Sequence, residues 1–171
     1  IKNKIQTHED SGFDIDEKNL NQKLFGFQKF IVKKALRAGR YAVFADTGLG
    51  KTAIQLTWAD EVSKYTGKPV LILAPLAVSG QTINEGKKFD ITVKRYGNND
   101  PIQITNYEQL DNITVSQFSG IVLDESSIIK NFTGKIRNQI IDLFKDTPYK
   151  LACTATPSPN DLMELGNHSE F

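Results

Sequence analysis

The sequence predicts an α/β domain built on a mainly parallel sheet covered on both faces. Val70–Ala74 and Gly120–Leu123 are short apolar runs without polar alternation, as expected of strands buried on both sides. Segments with helical periodicity separate the strands, which favours crossover connections and parallel pairing. Polar clusters fall at the strands' carboxyl ends, at Asp46–Thr52, Asp124–Ser127 and Thr154–Thr156, where such sheets bind ligands.

Each element follows in order. Residues 21–38 space Leu24, Phe27, Ile31, Ala35 and Ala38 at helical intervals, with lysines opposite and Gly39 as the stop. Tyr41–Ala45 reads as a buried strand, and Lys51–Tyr65 as a helix stopped by Gly67 with Pro69 beyond. Val70–Ala74 closes at Pro75, and a helix is expected over Val78–Phe89. Thr92–Tyr96 and Ile102–Thr105 are strand candidates around a turn at Gly97–Pro101, followed by a helical piece at Tyr107–Leu110. A strand at Gly120–Leu123, a helix from Gly134 to Phe144 and a strand over Tyr149–Thr154 complete the pattern.

The chain has 171 residues, a length that suits one domain, here 21–171 preceded by an arm at 1–20. It opens at Ile1 and its only methionine is Met163, so a piece of a longer protein is expected. One cysteine, Cys153, excludes an intrachain disulfide framework, and two distant histidines, His8 and His168, disfavour a zinc cluster. No apolar run approaches the roughly 20 residues that cross a bilayer. No membrane partner and a cytoplasmic setting are therefore expected. The net charge of +1 argues against gripping nucleic acid by bulk electrostatics, although residues 21–40 hold six basic side chains and no acid.

Ala45-Asp46-Thr47-Gly48-Leu49-Gly50-Lys51-Thr52 lies between a strand and a helix, the context of a phosphate-binding loop. Glycines let backbone N–H groups turn inward around phosphate oxygens, and the helix N-terminus adds its dipole. Thr47, Gly48, Leu49 and Gly50 would cradle the phosphates of ATP, Lys51 would reach the β- and γ-phosphates, and Thr52 would place its hydroxyl on Mg2+. Ala45 stands where the common form of this motif has Gly. Ile121-Val122-Leu123-Asp124-Glu125 is an apolar strand delivering two carboxylates: Asp124 to hold Mg2+, Glu125 to take a proton from the attacking water.

These motifs together resemble the first RecA-like domain of the superfamily-two helicases and translocases, a P-loop NTPase three-layer sandwich. The resemblance covers roughly residues 20–171. ADTGLGKT is similar to their motif one, which begins with Ala; LDESS to the DEAD/DEAH-like motif two; and Thr154-Ala155-Thr156 to motif three. Gln28, 23 residues before Lys51, stands where the family has a glutamine that reads adenine. Leu73-Ala74-Pro75-Leu76 with Ser79 and Gln81 is similar to motif Ia, and Thr105-Asn106-Tyr107-Glu108 to motif Ib. The resemblance implies that Pro75, Ser79, Gln81, Asn106 and Tyr107 track one strand's phosphates. Read singly, Pro75 suits a strand terminator and Tyr107 a core aromatic, just as Cys153 and Trp58 suit a core.

Lys130-Asn131, Thr156-Pro157, Asn160, Glu164 and Leu165 resemble the Swi/Snf-type branch, and ELGNHSEF is similar to phage-encoded members. Ser126-Ser127 depart from the branch's usual Ala-His, and Ala155 from its usual Gly. Ser127 would then couple the nucleotide site to Thr154 and Thr156 with a shorter reach. The implied function is the ATP-binding lobe of a motor that hydrolyses ATP to move along nucleic acid, DNA in first place. A second RecA-like lobe would complete it. A stand-alone phosphate-loop NTPase or kinase should carry an arginine-rich lid, yet only Arg137 lies beyond Arg95. A nucleotide-gated interaction module would not require Glu125.

Overall fold

The computed structural model describes residues 10–45, 49–125 and 134–154. It contains a six-stranded sheet in which every pairing is parallel: β1 (Arg40–Phe44), β2 (Val70–Leu73), β3 (Lys94–Arg95), β4 (Ile102–Thr105), β5 (Gly120–Leu123) and β6 (Tyr149–Thr154), in the order β1-β6-β5-β2-β4-β3. Four α-helices are described: α1 (Gly26–Ala38), α2 (Lys51–Thr66), α3 (Ser79–Lys88) and α4 (Gly134–Leu143).

Side-chain alternation along the strands divides the core. Val70, Ile72, Val122, Leu151 and Cys153 point into a cluster with Val32, Ala35 and Leu36 of α1 and Ile54, Leu56 and Trp58 of α2. Leu71, Leu73, Ile121 and Leu123 point the other way, against Tyr107, Leu110, Ile140 and Phe144. The three-layer arrangement follows: a double-sided apolar sheet needs cover on both faces. Strand β5 in the centre carries Gly120, where an added Cβ would sit 3.2 Å from Val62 and Val70 side-chain carbons.

Several boundaries differ from the sequence reading. The first helix begins at Gly26 rather than residue 21, because residues 21–25 are turns. Asn21 Nδ2 donates to the Phe89 carbonyl at 2.6 Å, which holds this approach away from a helical path. The strand expected over Thr92–Tyr96 contracts to Lys94–Arg95, an edge strand paired only with β4. Expected helix 78–89 opens instead with a 3-10 turn at Leu76–Val78, and the piece at Tyr107 runs as a 3-10 turn to Asn112.

Residues 10–20 lie against the domain. The N–H groups of Gly12 and Phe13 donate to the Arg37 and Leu36 carbonyls at the end of α1, and the Phe13 ring stacks on Tyr65 with centroids 3.9 Å apart. No described helix is long and apolar enough to cross a membrane.

Candidate functional site

The carboxyl ends of β5 and β2 and the start of α2 converge on one lysine. Gly50 precedes α2 with φ 72°, a left-handed geometry that glycine adopts without penalty, and no side chain among the described residues caps the helix. The first N–H groups of α2 therefore point outward with the positive end of the helix dipole, an arrangement suited to phosphate oxygens. Lys51 opens that helix, and its Nζ lies 3.2 Å from Asp124 Oδ1 while also donating to Glu125 Oε1. Burial works to lower the Lys51 pKa, but the hydrogen bond it donates to Glu125 and the charge of Asp124 outweigh it, and the net direction is upward. The ammonium is held charged inside a largely buried pocket.

Asp124 is 6% exposed and anchored from three directions. Its N–H donates to the Leu73 carbonyl at 2.8 Å, continuing the β5–β2 pairing. Gln55 Nε2, one helical turn beyond Lys51, donates to Oδ1 at 2.8 Å. The Tyr107 hydroxyl donates to the Asp124 backbone carbonyl at 2.7 Å. Glu125 follows in the left-handed region with φ 51°, one of two non-glycine residues with positive φ among those described. Such a conformation costs roughly 1–3 kcal/mol and persists only where the surroundings hold it.

Cys153 on β6 lies beneath this site. Burial first, and the Asp124 charge next, push its thiol up to about 12, so it stays protonated and serves as a small core side chain. Thr154, at the end of β6, is buried, and its hydroxyl has no hydrogen-bond partner among the described residues. The Gln55 Oε1 is likewise buried without one. No group of three or more His, Cys, Asp or Glu side chains that could hold a metal occurs among the described residues. The oxygen donors at hand, the Thr52 hydroxyl and Asp124 carboxylate, fit Mg2+, which takes one or two protein ligands and completes its shell from phosphates and water.

A family model described as the SNF2-related domain matches residues 42–168. The chain belongs to the SNF2-related domain family. Among curated relatives, the Arabidopsis thaliana TATA-binding protein-associated factor BTAF1 is 28% identical over 118 residues, covering 67% of this chain. The putative protein p41 of Acyrthosiphon pisum secondary endosymbiont phage 1 is 29% identical and covers 85% of it. This chain spans 5% of the first relative's length and 38% of the second's. Among solved structures, the Sulfolobus solfataricus SWI2/SNF2 ATPase core in complex with dsDNA superposes with a TM-score of 0.74 at 24% identity, covering 90% of this chain and 36% of that one. The UvsW helicase of bacteriophage T4 superposes at 0.71 with 19% identity, covering 82% and 56%. Both share the fold.

In this SNF2-related domain the expected site residues divide. Leu49, Gly50, Lys51, Thr52, Asp124 and Glu125 gather at one end of the sheet, while Asp46, Thr47, Gly48, Ser127 and Thr156 lie outside the described residues, as do Lys130, Asn131, Asn160 and Glu164. Gln28 joins the gathered group in an unforeseen way. Its Oε1 accepts the Phe25 N–H at 2.9 Å and its Nε2 donates to the Leu49 carbonyl at 3.1 Å, tying the start of α1 to the phosphate loop. A Cβ on Gly50 would come 2.0 Å from Gln28 Nε2, so a larger residue would displace the end of the Gln28 side chain, while the positive φ is what favours glycine here.

The loops after β2 and β4 are neighbours, since the Ala74 N–H donates to the Thr105 carbonyl at 3.0 Å. Of the residues expected to track phosphates, Gln81 is exposed and Pro75 and Asn106 are half-buried. Ser79 and Tyr107 are buried, so neither presents its side chain at the surface. Tyr107 takes the core alternative, as do Trp58 and Cys153. The sequence reading missed Gln55, although its four-residue step from Lys51 on a helix puts both on one face.

Proposed function

We propose that this domain binds ATP with Mg2+ and hydrolyses it to drive movement along DNA, in concert with a second RecA-like lobe. The observation that carries the proposal is Lys51 at the uncapped start of α2, reaching both carboxylates at the end of β5. The likeness to the dsDNA-bound SWI2/SNF2 core supports DNA as the track. Alternatives without hydrolysis leave Glu125, held in a strained backbone beside Lys51, without a purpose.

The chemistry assigned to each residue follows from its surroundings. Lys51 exchanges its carboxylate partners for the β- and γ-phosphate oxygens, whose negative charge then keeps the ammonium charged as the carboxylates do without nucleotide. Asp124 does not follow, since Gln55 and the backbone of Leu73 hold it in place. Glu125, released from Lys51, accepts a proton from the water whose oxygen attacks the γ-phosphorus as the bond to the ADP oxygen breaks. Mg2+ between Thr52 and Asp124 would neutralise charge on the phosphate oxygens. Asn106, Pro75 and Gln81 border the track along which backbone N–H groups and short polar side chains would contact phosphates.

Phosphate release with and without duplex DNA tests this reading on the full-length polypeptide. DNA-stimulated hydrolysis that Lys51→Ala abolishes is the expected result; hydrolysis indifferent to Lys51 would refute it. The 171-residue chain alone is expected to hydrolyse ATP slowly, with little response to DNA, because the arginine that stabilises the transferring phosphate comes from the second lobe.

A further inference from the structure

The Tyr107 ring fills the second core cluster, a task phenylalanine would perform equally well. Its hydroxyl does something packing does not require. It donates to the Asp124 carbonyl at 2.7 Å, and that carbonyl belongs to the peptide unit that leads into Glu125. Rotation of this unit is what would carry Glu125 out of its left-handed conformation at φ 51°. The other anchors on Asp124 among the described residues, from Leu73, Gln55 and Lys51, act on its N–H and its carboxylate rather than on that peptide plane.

We propose that Tyr107 is a positioning residue for hydrolysis, its hydroxyl latching the Asp124–Glu125 peptide so that the Glu125 carboxylate stays beside Lys51. This rests on the reading of Glu125 as the proton acceptor. The latch has a second end. Tyr107 directly follows Asn106, whose side chain accepts the Glu108 N–H at 3.0 Å to start the 3-10 turn, and Thr105 is bonded to Ala74 before Pro75. A shift of the two loops that border the DNA track therefore reaches the catalytic carboxylate through one hydroxyl.

The test compares Tyr107→Phe with the parent in the full-length polypeptide, with hydrolysis expressed per bound nucleotide so that only folded sites count. Tyr107→Phe is expected to lower kcat roughly 10- to 100-fold, the scale of a displaced catalytic group, while ATP affinity stays within about twofold because the phosphate loop is untouched. Added to Glu125→Gln, the same change is expected to cause no further loss, since the two act as a unit. An unchanged kcat, or an equal loss in the Glu125→Gln background, overturns the latch. A parent protein with no Lys51-dependent hydrolysis overturns the hydrolytic reading itself and the latch with it, so the two failures are told apart by the parent alone.

Discussion

Two lysines at opposite ends of the sheet, one partly and one fully buried, meet opposite fates. Lys51, at the carboxyl end, sits between Asp124 and Glu125, and its pKa rises although burial opposes this. Lys150, near the amino end of β6, is 2% exposed and donates a long hydrogen bond, 3.5 Å, to the Lys145 carbonyl. Burial, then repulsion from Arg40, lower its pKa to about 8, with Asp146 compensating in part. The same side chain is thus kept charged where carboxylates converge and pushed toward neutrality where a cation stands nearby. Burial alone does not decide protonation; the partners supplied by neighbouring strands do.

The comparison can be broken at either end. Glu125→Gln should have the largest effect, lowering hydrolysis about 10²- to 10⁴-fold with ATP still bound, as loss of a general base does; single-turnover kinetics beside a nucleotide titration measures both. Lys51→Ala should cost about 10²- to 10³-fold, the usual range for removing one preorganised charge-stabilising group. If it left phosphate release intact, the carboxyl-end lysine would have no privileged role. Gly50→Ala should destabilise the domain by roughly 2 kcal/mol, because alanine strains the left-handed φ and collides with Gln28. Chemical denaturation reads that change, and an unaltered midpoint would show that the loop relaxes freely.

Lys150→Met is the smallest and has the opposite sign. The unfolded lysine titrates near 10.5 and the folded one near 8, so folding disfavours the charged form. The resulting penalty is complete below about pH 8, fades as pH rises from there, and is gone only above about 10.5, where both states are neutral. The side chain can extend its head group toward water when charged, which limits the gain from removing it to the order of 1 kcal/mol at pH 7. Paired melts of parent and variant at pH 7 and pH 10 should show that advantage shrinking; a constant difference would assign it to packing.

The strands were legible wherever burial on both faces left an unbroken apolar run. Ile102–Thr105, Gly120–Leu123 and Tyr149–Thr154 match their expected bounds. Thr92–Tyr96 did not, since an edge strand is as long as its single partner permits, and β4 pairs only Lys94 and Arg95. The phosphate-loop lysine and the acid pair were visible because backbone chemistry at a helix start demands particular residues in a contiguous order. Tyr107 and Gln55 were hidden for the converse reason. Each acts on Asp124 from a separate element, 17 and 69 residues away.

The sequence by itself determined the alternation of buried strands and helices, the loop before Lys51 and the carboxylates at Asp124 and Glu125, because these depend on local periodicity and on motifs read in one stretch. Tertiary structure decided the rest: that β5 lies between β6 and β2, that Gln28 closes on Leu49, and that a tyrosine after β4 holds the peptide before Glu125. Those contacts are set by strand order, and strand order is a global property of how apolar faces find cover, which no short window of sequence encodes.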